Sequence, residues 1–197
     1  MRVVVTGATG EAGRAVCARI GERGDHVIAV GTDAGRLAEV DADERLLADL
    51  TDPDAVRSLA EEVRRADAVL HLVGGWKPGN TPEADAWLRP RLVDALANVI
   101  ASFEPLLAAS EGRLAIVSTT AVTPDAEPTS SYTRAKADAE ELVAELGDRL
   151  GSEGGAATVF VIRALGEEGT PAAVLAERLA TWLHADAEAV NGARILL

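Results

Sequence analysis

The sequence predicts a doubly wound α/β fold, a mostly parallel sheet of about seven strands with helices on both faces. Three observations carry this. Short apolar, β-branched runs alternate with longer segments of helical periodicity along the chain. The first run opens into a glycine-rich turn, TGATGEAG, suited to joining a strand to a helix. The chain has 197 residues and 48% hydrophobic content, enough to fill the core of one unit spanning residues 1–197, whereas a second domain would be strained.

Taken in order, the strand-length runs are Arg2 to Thr6, His26 to Val30, Arg45 to Ala48, Ala68 to Val73, Arg113 to Ser118, Thr158 to Ile162 and Ala193 to Leu196. Helices fall between them, at Glu11 to Glu22, Gly35 to Val40, Pro53 to Arg64, Pro82 to Ala109, Ser131 to Leu150 and Pro171 to Leu183. The helix from Ser131 places Ala135, Ala139, Leu142, Val143 and Leu146 at helical spacing. SEGG, near Ser152 to Gly155, is short enough for an ordinary helix-to-strand loop. Strand, helix, strand repeated in this way gives parallel pairing, and ligands in such sheets bind at the carboxyl ends of the strands.

Composition excludes several functions. A net charge of -13 opposes tracking of a phosphate backbone, which needs clustered Lys and Arg, so neither nucleic acid nor an acidic membrane is an expected partner. Cys17 is the only cysteine; no intrachain disulfide can form, which suits a reducing cytoplasm. His26, His71 and His184 lie in separate elements, so no metal site is expected. The opening MRVVVTGATGEAG turns to glycine after a few apolar residues and reads as neither signal peptide nor membrane span.

The exit of the first strand is the most informative stretch. Gly7, Gly10 and Gly13 allow a tight turn, close backbone approach to a pyrophosphate and close helix packing, with Ala8, Thr9, Glu11 and Ala12 completing the loop. The context of strand before and helix after is what the motif requires. Later strand ends fit the same nucleotide. Asp49 can accept from an adenine amino group and Leu50 can cover the ring, although Asp49 or Asp52 can equally cap the helix that begins at Pro53. Val73, Gly74 and Gly75 follow the fourth strand, where missing side chains leave room for ribose and adenine. Trp76 is either a substrate wall or buried packing.

The chain's only tyrosine, Tyr132, stands four residues before Lys136, so both lie on one helix face. By spacing alone the pair reads as helix surface. Together, however, TGATGEAG, ADLTD, HLVGG, STT, SYTRAK and the ending VNGARILL resemble the short-chain dehydrogenase/reductase family over nearly the whole chain. The resemblance implies an NAD(P)(H)-dependent oxidoreductase in which Tyr132 exchanges a proton with a substrate carbonyl or alcohol. It also implies that Lys136 holds the cofactor ribose and favours the phenolate. A hydroxyl thirteen residues before the tyrosine should complete the site, which is Thr119, with Ser118 as second choice.

Two departures qualify this. The asparagine usual in the helix after the fourth strand falls near Leu92 rather than at Asn98, and RALGEEGT stands where relatives carry a long substrate lid, so the pocket should be open. GGWKPGN resembles a loop of dihydropteridine reductase and hints at an aromatic or polycyclic small-molecule substrate, a ketone, quinone or cyclic carbonyl. After the second strand, Gly31 stands where an acid would select NAD, with Thr32, Asp33 and Arg36 beyond it, so NADP(H) is favoured over NAD(H). The long helices from Pro82 and Ser131 are apolar over wide arcs, which predicts a homodimer, as in relatives. The rival reading is a redox-inactive NAD(P)-binding sensor or scaffold of the same fold.

Overall fold

The computed structural model describes residues 1–123, 126–166 and 168–197. Seven strands form one sheet: β1 (Arg2–Thr6), β2 (His26–Gly31), β3 (Glu44–Leu47), β4 (Ala68–His71), β5 (Arg113–Thr119), β6 (Ala156–Ile162) and β7 (Arg194–Leu196). Their order is β3-β2-β1-β4-β5-β6-β7, and every pairing is parallel. The expected fold class is therefore the observed one.

Alternation along the strands divides the core. Val4, Val69, Leu114 and Ile116 face α3 (Pro53–Val63), α5 (Ala95–Ala108) and α6 (Ser131–Gly151). Val3, Val5, Leu70 and Ala115 face α1 (Glu11–Glu22), α2 (Ala34–Ala38) and α7 (Ala172–Trp182). Both sheet faces are covered, as a parallel sheet requires.

The chain winds outward from β1 through β2 and β3, then returns to place β4 on the other side of β1. That reversal is the topological switch point at which such sheets bind ligands. It brings the exits of β1 and β4 together, with Thr6 in register with His71 and Leu72 N–H donating to Thr6 O at 3.1 Å. Gly7 turns away there with φ +70°. A Cβ on it would stand 2.7 Å from Leu72 O, so only glycine fits. This turn also ends β4 at His71, two residues before the expected Val73, since β1 itself ends at Thr6, the register partner of His71.

One expected helix is three segments. Pro90 lacks the N–H that would continue the α ladder, and the run from Pro82 divides into α4 (Pro82–Arg89), a π turn (Pro90–Asp94) and α5. Ala95 N–H closes the wide turn on Pro90 O. A short α8 (Ala187–Val190), capped by Asp186, was not expected from the apolar pattern, and it buries no residue. Other boundaries move by a residue or two. Among the described residues no helix is long and apolar enough to cross a membrane, and no cluster of ligating side chains suits a metal. Cys17 is buried, and burial pushes its thiol up to about 12, far from a reactive thiolate.

Candidate active site

Two adjoining hollows open along the carboxyl edge of the sheet at the switch point, and Val73 and Gly74 line both. The larger, about 470 Å³, takes Gly7, Thr9, Gly31, Thr32, Asp49, Leu50 and Arg91 into its walls. The smaller, about 330 Å³, gathers Gly75, Trp76, Ser118, Thr119, Tyr132 and Lys136, with Ala12 at its edge. A Cβ on Gly74 would meet nothing, so the passage between the hollows stays open.

In the larger hollow the strand ends do different work. Asp49 accepts from Thr51 N–H and Thr51 Oγ1 at 2.9 and 2.7 Å, bonds that hold its carboxyl below the usual range and keep it charged. Asp52, not Asp49, caps α3 by accepting from Asp54 N–H at 2.9 Å. Asn98 donates to Leu50 O at 2.9 Å and so pins the loop over the hollow.

Six expected contacts, Ala8, Gly10, Glu11, Gly13, Asp33 and Arg36, lie outside the two linings. Asp33 instead caps α2, accepting from Arg36 N–H at 2.9 Å. Gly10 begins α1 without a side-chain cap, and a Cβ there would come no closer than 3.4 Å to Gly7 O. Gly13 is different: its Cβ would stand 2.3 Å from Gly7 O and 2.6 Å from Ala8 Cα. That glycine lets α1 pack on the loop's own backbone.

The apolar pattern gave no sign of Arg14. Arg36 Nη2 and Arg14 Nε both donate to Thr9 O, at 2.9 and 3.3 Å, which sets two guanidinium groups beside Thr9, and Arg14 Nη2 also pairs with Glu39 at 3.1 Å.

In the smaller hollow, α6 begins with a capping box in which Ser130 and Thr133 exchange bonds, fixing the first turn that carries Tyr132. The ring packs with Ala84, Leu88, Leu92, Val93 and Ala135. Desolvation pushes its phenol up, keeping it protonated at neutral pH. One turn on, Lys136 is buried, and Nζ donates to Val117 O at 2.7 Å. Burial brings its ammonium down to about 8, while the Glu140 charge opposes that fall. The expected lowering of the phenol by Lys136 does not appear: burial alone shifts Tyr132, and it shifts it upward.

The hydroxyls divide as well. Ser118 donates to the Glu140 carboxylate. Thr119 Oγ1 accepts from Ala121 N–H at 3.2 Å, which leaves its own proton to donate. His71 is buried behind the site with Nδ1 2.9 Å from Thr6 Oγ1, and Nε2 has no partner among the described residues. Burial, then the Lys136 charge, brings its pKa down to about 3, so the ring is neutral.

Leu92 lies in the π turn against the Tyr132 cluster, while Asn98 faces the other hollow. Trp76 is 67% exposed at the rim, which excludes buried packing for it. The RALGEEGT segment is closed on itself by Thr170 N–H donating to Ala164 O at 2.8 Å and by a bridge between Leu165 and Thr170; Glu167 lies outside the described residues.

Glycines at the switch point, an adenosine-sized hollow and a connected hollow bearing hydroxyls suit a dinucleotide. The family model described as NAD dependent epimerase/dehydratase matches residues 3–190. The NADPH-bound short chain oxidoreductase from Pseudomonas aeruginosa PAO1 containing an atypical catalytic center is 16% identical, with 100% of this chain and 94% of that one covered and a TM-score of 0.90. A metagenomic short-chain oxidoreductase in complex with NADP is 20% identical, covering 100% and 97%, with a TM-score of 0.82. An apo enzyme from Clostridium thermocellum is 16% identical over 99% and 90%, also with a TM-score of 0.82. At these identities the likenesses speak to the fold. No curated protein matches the chain.

Proposed function

The chain belongs to the NAD dependent epimerase/dehydratase family, whose members are NAD(P)-dependent enzymes of the short-chain dehydrogenase/reductase type, and from that premise we propose that it is an NADP(H)-dependent carbonyl reductase. The observation that carries the reading is the convergence of Thr119, Tyr132 and Lys136 in one hollow, joined over Gly74 to the hollow that suits adenosine.

A nicotinamide cofactor, when bound across the two hollows, would supply the hydride that reduces the carbonyl carbon. Tyr132, protonated at neutral pH, gives its proton to the carbonyl oxygen as the C–O bond gains charge. Thr119 donates to the same oxygen and orients it. The phenolate left behind is stabilised by Lys136, which also holds the ribose. A phenol protonated at neutral pH is in the form that gives a proton in the reduction direction.

The guanidinium groups of Arg14 and Arg36 support the choice of NADP(H): Arg36 can turn from Thr9 O to a 2′-phosphate, and Arg14, once it releases Glu39, can join it. Arg36→Ala with Arg14→Ala should weaken NADPH binding by roughly tenfold or more while leaving NADH within about twofold, read by fluorescence titration. Equal losses for both cofactors would reject the assignment.

The exposed ring of Trp76 and the short RALGEEGT turn favour a flat, bulky carbonyl, such as an aromatic ketone or a quinone, over a small ketone. A panel of such carbonyls assayed by NADPH oxidation tests the function. Leu92 in place of an asparagine and the short RALGEEGT segment in place of a lid are the features that favour a redox-inactive binder; NADPH binding without turnover of any panel member would support that reading instead.

A further inference from the structure

The carboxylate of Glu140 lies one helical turn beyond Lys136, and its side chain is only 15% exposed. Each of its oxygens is engaged. One accepts from Ser118 Oγ, and the other accepts from Arg194 Nε at 2.9 Å. Arg194, on the short edge strand β7, then uses Nη2 to donate to Thr119 O at 3.3 Å and Val122 O at 2.7 Å. The turn after β5 is closed by Val122 N–H donating to Thr119 O at 3.1 Å. Three separate elements therefore meet at the one turn that presents a hydroxyl to the smaller hollow.

We propose that Glu140 and Arg194 are a positioning pair: Glu140 draws the Ser118 hydroxyl out of the site, and Arg194 clamps the Thr119–Val122 turn so that Thr119 alone offers its hydroxyl to the reacting oxygen. Neither residue touches substrate. The arrangement follows from donor and acceptor counts. A carboxylate accepts only, so it can take the Ser118 proton and one guanidinium N–H, and the planar guanidinium has further N–H groups fixed at an angle that reaches two carbonyls. A lysine at 194 carries its three N–H donors on a single nitrogen and lacks the fixed spread with which the guanidinium reaches the carboxylate and both carbonyls together. In addition, the Glu140 charge favours the charged form of Lys136, so the same carboxylate serves both members of the site that α6 does not hold by packing alone.

The kinetic part of this proposal rests on the reductase reading; the structural part does not, and the experiment keeps them apart. Glu140→Ala and Arg194→Lys, with the isosteric Glu140→Gln in case alanine unfolds the chain, are compared with wild type in two measurements. In amide hydrogen exchange, the Ala121 and Val122 N–H groups should exchange about tenfold or more faster in the variants, beyond any change in global stability. In steady-state kinetics with an accepted carbonyl, kcat should fall about tenfold while the NADPH Kd stays within about twofold. In a Thr119→Val background the same substitution should then cost little more, because the clamp acts through Thr119. Unchanged exchange overturns the proposal whether or not a substrate has been found. Faster exchange with unchanged kcat, or a loss of kcat that simply adds to that of Thr119→Val, also overturns it, since the pair would then be structural only. If wild type turns over nothing, the reductase reading fails, and exchange alone decides the clamp.

Discussion

Lys136 shows the tension between what a site needs and what a fold tolerates. Its ammonium is buried, with the Val117 carbonyl and the Glu140 charge as compensation, and burial still brings it down to about 8. Since the folded-state value lies below that of an exposed amine, the unfolded chain keeps the proton between about 8 and 10.5 while the folded one has released it. Stability should therefore rise with pH across that window, and the charge costs the fold something at neutral pH. Lys77 and Lys136 are the chain's lysines, and Lys77 is only half-buried at the loop after β4. Lysine-selective NMR labelling of Lys77→Arg thus isolates one amine, expected to titrate near 8. Titration near 10.5 would mean that the side chain reaches water and is not held under the hollow.

The elements position the site through backbone more than side chain, which is why much of it could be read from the sequence. β1, its glycine turn and α1 announce themselves by local chemistry: a β-branched run, then residues with no Cβ where Gly7 meets Leu72 O and Gly13 meets Gly7 O. Tyr132 and Lys136 could be found because helical spacing fixes their relation and family order fixes their place. What remained hidden depends on contacts across the chain. Arg194 reaches Glu140 over 54 residues and Arg36 reaches Thr9 over 27, and no local pattern encodes either. The π turn at Pro90 was hidden differently: apolar periodicity on both sides masked a break that only the missing proline N–H explains. The glycines also separate by role. Gly13→Ala should lower the melting temperature by several degrees, since its Cβ strikes backbone of the loop, whereas Gly10→Ala should leave melting nearly unchanged and weaken NADPH binding. Equal melting losses would show that both glycines only pack.

For the whole molecule, the exposed charge and the two covered sheet faces leave few apolar surfaces for a partner. Val99 and Phe103, the apolar centre of α5, are fully buried in the chain's own core. The homodimer proposed from the breadth of α5 and α6 must then form on their outer side, where Ala101, Pro105, Ala144 and Glu145 are exposed. Light scattering should give about twice the chain mass. A monomer at micromolar concentration would remove that proposal, and neither outcome bears on the hollows. The claim that all the rest depends on is that Tyr132 gives a proton to a carbonyl, and Tyr132→Phe tests it most directly. The substitution keeps the ring that packs with Leu88 and Leu92 but removes the transferable proton. On a carbonyl reduced by wild type, kcat should fall by roughly 10²-fold or more with NADPH affinity unchanged. Equal turnover by wild type and Tyr132→Phe would contradict the account.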